Sequence, residues 1–171
     1  MENEILIPVK DYEELYLISN YGHVISLRGN CRILKPRTVH NGYQIVTLTK
    51  NSKATHYKIH RLVALHFVFN KNKLEQVNHI YGDKLNNNDK NLEWVSNREN
   101  RNHFLLNSQK SSKYPGVCWQ KSRNKWRARI RINDQRFELG YFTIEENAHE
   151  AYLNALKKYN IEDKYANGKK Q

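Results

Sequence analysis

The segment of residues 77–103, VNHIYGDKLNNNDKNLEWVSNRENRNH, constrains this chain more than any other stretch. A short apolar run ends at Asn78 and His79, and the loop that follows is rich in residues that tolerate tight or left-handed backbone. The alternating run 92–95 predicts a second strand, and a serine followed three residues later by a glutamate predicts a capped helix. So small a strand–loop–strand–helix unit cannot bury a core of its own. A metal ion is therefore the obvious candidate for holding it together.

Two pairs of polar residues flank this loop and would meet if the helix folded back over the hairpin. Asn78 and His79 end the first strand, whereas Asn100 and His103 lie about one turn apart and share a helix face. Asn91 is placed to fix the loop through hydrogen bonds to backbone near His79. The other histidines lack such partners and are interpreted as structural or surface residues: His23, His40, His56, His149, and, on the apolar run 59–67, His60 and His66.

The pattern closely resembles the ββα-metal finger of the HNH homing endonucleases of phages and mobile elements. The resemblance implies metal-dependent hydrolysis of DNA, with His79 as general base and Asn91 holding the loop. It also implies one divalent ion, Mg²⁺ or Mn²⁺, held by Asn78 and Asn100 together with phosphate oxygens. Asn78 stands where one branch of the family has aspartate. The matching residues are Asn78-His79, Gly82, Asn86-Asn87, Asn91-Leu92, Trp94-Val95 and Glu99-Asn100.

The amino-terminal residues 1–54 predict a small β-rich module, since strand-like runs flank the turns at 20–22 and 41–42. It resembles the module that often precedes the finger in phage nucleases. The apolar spacing of residues 59–67 then predicts a helix that supports the finger. The basic residues of this region either follow a phosphate backbone or form a solvated rim, and the sequence leaves both open: Arg28, Arg32, Lys35, Arg37, Lys50, Lys53 and Lys58.

Residues 126–132, WRARIRI, predict a strand with two chemically different faces. Its tryptophan, alanine and isoleucines point one way, and its arginines at 127, 129 and 131 point the other. Only one acidic residue, Asp134, lies in the stretch 110–136, so the arginine face predicts an anionic partner such as the DNA major groove. The alternative is a plain solvated face, although such faces usually intersperse acids.

A turn at 133–134, a strand over 136–140 and a capping box formed by Thr143 and Glu146 follow this run. The helix then has Ala148, Ala151, Tyr152, Ala155 and Tyr159 on one face. Three strands and one helix resemble the apetala/ethylene-response DNA-binding domain, on the residues Tyr114–Val117, Trp119, Lys125–Ala128, Leu139–Phe142 and Glu145–Tyr152. The resemblance places Trp119, Arg129, Arg131 and Arg136 on the DNA-facing surface. The full set of predicted DNA-binding residues is Trp119, Arg123, Lys125, Arg127, Arg129, Arg131 and Arg136.

Composition agrees with a nucleic-acid partner. The chain of 171 residues has 29 Lys+Arg against 17 Asp+Glu, a net charge of +12, which favours an anionic polymer. Two distant cysteines argue against a disulfide framework or cysteine-bound zinc, and no apolar run reaches membrane-spanning length. We expect no membrane association and a location in the cytoplasm of a phage-infected or bacterial host.

The sequence therefore predicts an α+β protein: a β-rich module over 1–54, an HNH finger over 55–106, a linker over 107–112, and a three-stranded antiparallel sheet packed on one helix over 113–171. The predicted function is site-specific cleavage of double-stranded DNA by a monomer. One alternative is a DNA-binding regulator that has kept the fold and lost turnover. A structural zinc finger is the weakest alternative because the segment lacks thiolates.

Overall fold

The structure is a computed structural model that describes residues 3–106 and 111–168. The chain divides into two compact units between Ser96 and Asn97, and each is described by itself. Residues 107–110 of the predicted linker lie outside the described part. Among the described helices, none is long and apolar enough to cross a membrane.

The first unit begins with seven strands: β1 (Leu6–Pro8), β2 (Tyr16–Ser19), β3 (Val24–Ser26), β4 (Arg32–Ile33), β5 (Arg37–Thr38), β6 (Gln44–Lys50) and β7 (Lys53–Lys58). β1 to β4 form an antiparallel sheet in chain order, and β5 to β7 form a second one. The predicted turns at 20–22 and 41–42 are confirmed, with Gly22 and Gly42 in the left-handed region at φ +91° and +82°. β5 and β7 were not predicted, because both are short of apolar residues.

The predicted helix α1 (Ile59–Phe67) is confirmed and lies in the core of this unit. It packs against the finger hairpin, whose strands are β8 (Gln76–His79) and β9 (Leu92–Val95). The hairpin is therefore anchored by a shared hydrophobic core, which was not anticipated from the sequence, where a metal ion was the obvious candidate for holding the finger. The buried cluster contains Val9, Tyr16, Ile18, Val24, Val46, Leu48, Ile59, Leu62, Val63, Ala64, Val77 and Leu92.

The second unit contains two helices and one sheet: α2 (Asn97–Leu106), β10 (Val117–Gln120), β11 (Lys125–Ile132), β12 (Gln135–Phe142) and α3 (Glu145–Lys158). The strands form an antiparallel sheet in the order β10, β11, β12, as predicted. Asn133 and Asp134 both have positive φ, at 46° and 63°, which forms the tight turn between β11 and β12. The alternation along β11 is also confirmed, since Ala128 and Ile130 are buried and the arginines between them are not.

Two details of α3 differ from the prediction. The buried residues are Ala148, Tyr152, Ala155 and Leu156, whereas Tyr159 follows the helix and is 44% exposed. The capping box at Thr143 is wrong, because the helix begins at Glu145 and its N-cap makes no side-chain hydrogen bond.

The two glutamates at the start of α3 instead contact the segment before β10. Glu145 accepts hydrogen bonds from the Ser112 hydroxyl at 2.6 Å and from the Lys113 backbone N–H at 3.2 Å. Glu146 accepts one from the Lys113 ammonium at 3.2 Å. Acidic side chains here also match the positive end of the helix dipole.

Helix α2 is tied to the second unit by a buried polar contact. The side-chain nitrogen of Asn102 donates to Asp163 at 2.6 Å and to the Tyr152 hydroxyl at 3.3 Å. Burial raises the pKa of Asp163. The domain boundaries at 54/55 and 106/107 stay predictions; β7 runs across the first, and α2 groups with the residues that follow it.

Candidate active site and nucleic-acid interface

His79 ends β8 and is buried at the base of the asparagine-rich loop. Its Nε2 lies 3.4 Å from Oδ1 of Asn87. The Asn87 amide nitrogen donates to Gln44 Oε1 at 2.7 Å and to the Leu85 carbonyl at 3.2 Å. Because both donors of this amide point away from the ring, its oxygen faces His79, which places the imidazole proton on Nε2 and leaves Nδ1 as the basic nitrogen.

Burial lowers the pKa of His79, while the Asn87 hydrogen bond and the nearby Asp83 carboxylate act in the opposite direction. The imidazole is therefore mainly neutral at pH 7, as a general base must be. A charged imidazolium at this position would lose solvation that no described side chain fully replaces.

Asn91 is buried and holds the loop, as predicted. Its Oδ1 accepts from the Tyr81 backbone N–H at 3.0 Å, and its Nδ2 donates to the carbonyls of Asn86 at 2.7 Å and Asp83 at 3.3 Å. Its backbone carbonyl also accepts from the Ile80 N–H at 2.8 Å. These four bonds fix the chain that leaves His79, so Asn91 is a positioning residue and its side chain does not face solvent.

Asn78 is buried and lies opposite Glu93 in the β8–β9 pairing. Its amide nitrogen donates to Glu93 Oε1 at 2.8 Å. Sequence reasoning missed Glu93, although its position across from Asn78 follows once the hairpin register is known. Amide and carboxylate oxygens suit a hard divalent cation, but no group of three His, Cys, Asp or Glu side chains in the described residues could hold a metal ion by itself.

The predicted partners Asn100 and His103 lie on α2, in the second unit. The ring of His103 packs against Tyr165, with centroids 4.9 Å apart. That Asn100 and Asn78 bind the same metal ion stays a prediction. The first unit thus brings together Asn78 and His79, at the end of β8, and Asn91, directly before β9.

His60 is the residue beside His79 that the sequence did not point to. The two ring centroids lie 5.0 Å apart, and Tyr43 lies 4.7 Å from His60 and 5.9 Å from His79. Burial, chiefly, lowers the pKa of His60 to about 3, and its Nδ1 has no hydrogen-bond partner among the described residues. His66, in contrast, is structural as expected, since it contacts the Leu62 carbonyl and accepts from the Lys10 N–H.

The outer face of the C-terminal sheet carries the predicted arginines, but it also carries acids. Arg127 forms a two-point ion pair with Glu138 of β12, at 2.7 and 2.5 Å, and Arg131 pairs with Asp134 at 3.0 Å. The Arg127 pair lowers the pKa of Glu138. The inference that this face lacks interspersed acids is therefore wrong, because Glu138 lies across from Arg129 in the strand pairing.

Arg129 and Arg136 make no ion pair with any described residue, and Arg129 has Glu138 across from it in the strand pairing. Arg136 lies opposite Arg131 and shares its side of the sheet. Arg123 packs on the same face, with its guanidinium 4.3 Å from the centroid of the Tyr141 ring.

Trp119 lies on the other side of the sheet. It pairs with Trp126 across β10 and β11, and the two rings contact edge to face at 5.1 Å. Trp126 packs in the cluster with Ala128 and Ala148, on the face that α3 covers. The prediction that grouped Trp119 with the arginine face is therefore wrong; Lys125, by contrast, alternates with Trp126 and is exposed.

Residues 4–49 match the NUMOD4 motif and residues 112–162 match the AP2 domain. The chain is 41% identical over 90 residues to "Uncharacterized HNH endonuclease L245" of Acanthamoeba polyphaga mimivirus, covering 53% of this chain and 27% of that protein. It is 37% identical over 92 residues to DNA endonuclease I-HmuI of Bacillus phage SP01, covering 54% and 52%. A solved structure of DNA binding and cleavage by the HNH homing endonuclease I-HmuI matches with a TM-score of 0.56 and 34% identity, over 63% of this chain and 59% of that chain.

The chain carries the NUMOD4 motif and the AP2 domain, and it is similar to HNH homing endonucleases over about half of its length. The AP2 match and the solved structure confirm the predicted resemblances and the α+β fold class. The chain spans about half or less of the length of the relatives named above, so the activities in their names are statements about those proteins.

Proposed function

We propose that this chain is a metal-dependent HNH endonuclease that hydrolyses phosphodiester bonds in double-stranded DNA at specific sites. The observation that carries the proposal is the environment of His79. Its imidazole is buried and neutral, its Nε2 faces Asn87, and Asn91 fixes the loop that follows it. The Asn87 amide is itself held by Gln44 and the Leu85 carbonyl, so the orientation of the imidazole is fixed before any substrate binds.

In this reaction His79 acts as the general base. Nε2 keeps its proton against the Asn87 oxygen, and Nδ1 takes a proton from the attacking water. Asn91 holds the loop so that the imidazole does not shift when the proton arrives. His60 borders the ring and stays neutral, so it adds no repulsion to the imidazolium that forms.

The donors near His79 fit Mg²⁺ or Mn²⁺, which prefer hard oxygen ligands. Asn78 and Asn100 would hold the ion, with the Glu93 carboxylate beside Asn78 and phosphate oxygens of the DNA completing the set. When bound, the ion supplies positive charge that stabilises the leaving oxygen. Because amides carry no charge, we expect metal affinity to be weak until DNA contributes its phosphates.

The C-terminal sheet is the proposed DNA-holding surface. Arg129 and Arg136 have no ion pair among the described residues and so are available for phosphates or guanine edges. Arg127 and Arg131 reach DNA only if their pairs with Glu138 and Asp134 rearrange or share the contact. Arg123 and Lys125 add charge at the same face, whereas Trp119 would support the sheet from behind.

We further infer that the protein acts as a monomer in the cytoplasm of a bacterial or phage-infected cell. The match to a protein of Bacillus phage SP01 supports this setting. Sedimentation of the purified chain would test the monomer.

The decisive experiment is cleavage of supercoiled plasmid and of short duplexes by the wild-type chain, with Mg²⁺, with Mn²⁺ and with EDTA. We expect metal-dependent nicking or cutting that falls by ~10²–10⁴-fold in His79→Ala, while DNA binding persists. His56→Ala, at an exposed histidine on β7, is the matched control and should cleave normally. Equal cleavage by wild type and His79→Ala would refute the assignment, and binding without cleavage by wild type would favour the regulator.

A further inference from the structure

Two lysines border the Tyr43 ring next to the candidate general base. The Lys58 ammonium lies 4.9 Å from the ring centroid, and the Lys84 ammonium lies 4.8 Å from it. The same ring lies 4.7 Å from His60 and 5.9 Å from His79. Both ammonium groups therefore border the ring that lies next to the two histidines, although the lysines come from segments 26 residues apart in sequence.

Each lysine is positioned by its own backbone element. Lys58 ends β7 and is the residue before α1, where the backbone is extended at φ −73° and ψ 125°. Lys84 belongs to the asparagine-rich loop, and its ammonium donates to the Asn41 carbonyl at 2.9 Å. Its side chain passes over the 41–42 turn, since a Cβ added at Gly42 would lie 3.4 Å from Lys84 Cδ. The second sheet and the finger loop thus each contribute one cation.

Both charges act on the histidines, and at His79 the nearby Asp83 carboxylate opposes the effect of Lys84. Lys84 helps to lower the pKa of His79, and Lys58 helps to lower that of His60. Neither lysine forms an ion pair with a described carboxylate. The nearby Asp83 carboxylate accepts a hydrogen bond from the Leu85 backbone N–H instead.

Two cations on one ring repel each other unless an anion lies between them. Their distances to the ring place the ammonium groups at most roughly 10 Å apart, which is close to the Debye length of ~8 Å at physiological ionic strength, so the repulsion is partly screened. Contact with the aromatic ring offsets part of this repulsion. Phosphates of a bound DNA strand would supply a counter-charge to both ammonium groups, next to the ring that borders His79.

We propose that Lys58 and Lys84 form a phosphate-binding pair that holds the DNA backbone next to His79, with Tyr43 as the platform between them. This role rests on the proposed function. Its effect is to fix the strand relative to Nδ1 of His79 and to supply positive charge that the neutral amide of Asn78 does not. The sites on the C-terminal sheet would determine where the protein binds, and this pair would position the bond that is cut.

The test measures binding and cleavage separately. Affinity of the full-length protein for a short duplex is titrated in EDTA at several salt concentrations, for wild type, Lys58→Gln, Lys84→Gln and the double variant. Each lost phosphate contact should lower the slope of log K against log[salt] by ~0.9, so the double variant should lose between about one and two units. Lys53→Gln removes one charge from the other end of β7 and is the matched control, with an unchanged slope.

Single-turnover cleavage in Mg²⁺ gives the second measurement. We expect the double variant to cleave at least ~10-fold more slowly at saturating enzyme, because the strand is no longer fixed beside the base. Tyr43→Leu removes the platform and should reduce the slope. Thermal melting confirms that each variant is folded.

A salt slope and a cleavage rate in the double variant that both equal those of Lys53→Gln would overturn the phosphate-binding pair. If the wild type binds DNA but does not cleave it, the nuclease proposal fails. A reduced slope in the double variant would in that case still support the pair, so the two failures are distinguishable.

Discussion

Asn87 presents its side-chain oxygen to Nε2 of His79 at 3.4 Å. Its amide nitrogen is held by Gln44 and by the Leu85 carbonyl, so the amide cannot turn over without breaking both bonds. One asparagine therefore determines which nitrogen of the candidate base carries the proton. It also links the base to β6, a strand of the amino-terminal part of the unit.

Replacing this amide by a carboxylate should move the pH dependence of cleavage. In Asn87→Asp an anion faces the ring, which favours the imidazolium and raises the pKa of His79. More of the base is then protonated at a given pH, so the acidic side of the pH–rate profile should move to higher pH. Asn88→Asp adds the same charge one residue away and should leave the profile in place. If the acidic side of the pH–rate profile does not move in Asn87→Asp, then Asn87 does not control the protonation of His79.

The substitution Asn78→Asp should make the melting temperature of the protein depend on Mg²⁺. The wild-type amide donates to Glu93 at 2.8 Å, whereas the variant would place two carboxylates at this distance. Without metal they repel, and the melting temperature in EDTA should drop below that of wild type. With millimolar Mg²⁺ the drop should reverse and cleavage should equal or exceed wild type, because a carboxylate binds Mg²⁺ better than an amide. A melting temperature that is insensitive to Mg²⁺ would argue that Asn78 does not hold the ion.

His60 should make the fold sensitive to acid. Burial lowers its pKa from 6.5 to about 3, so the unfolded chain takes up the proton first as the pH falls. Its stabilising contribution is complete above pH 6.5 and is lost progressively between 6.5 and about 3, at up to ~1.4 kcal/mol per pH unit. Urea unfolding of His60→Phe should show a smaller loss over this window than wild type, whatever its stability at pH 7.5. His40→Gln, at an exposed histidine, should retain the wild-type slope.

The ion pairs on the outer face of the C-terminal sheet should restrain DNA binding. Glu138→Gln frees Arg127 and removes a negative charge, so it should tighten binding and steepen the salt dependence by up to ~0.9. Arg129→Ala removes an arginine without an ion pair and should weaken binding and flatten the slope by the same amount. If Arg129 contacts a base, discrimination at that base pair should also relax by ~1–3 kcal/mol. Identical isotherms for both variants and wild type would identify this face as ordinary solvated surface.

Much of the fold followed from local patterns. The hairpin β2–β3, the helix α1, the finger strands and the sheet β10–β12 all carry alternation, helical spacing or turn residues that act over a few positions. The hydrogen bonds of Asn91 were also predictable, because they span only the loop that the residue closes. Polar strands such as β7 were missed, since their stability comes from pairing with β6 and not from their own side chains.

The parts that could not be predicted depend on register and on tertiary contact. Glu138 meets Arg127 because a bulge between Ala128 and Arg129 shifts the pairing of β11 with β12. His60 meets His79 because α1 packs against the finger hairpin, a contact that no spacing in the sequence encodes. Helix α3 begins at Glu145, whose carboxylate accepts hydrogen bonds from the segment before β10. These contacts are far apart in sequence, so the cap expected at Thr143 was the wrong prediction.

The shared core of the first unit has a consequence for how such proteins diversify. Val77 and Leu92 of the finger are buried in the same cluster as Ile18 and Val24 of the first hairpins. An amino-terminal module taken from another nuclease would therefore have to arrive with matching core side chains, and random shuffling at residue 54 would yield mostly misfolded chimeras. Recombination after Ser96 leaves that core intact, so an exchanged downstream part would have to supply only a counterpart of Asn100 and not a set of matching buried side chains.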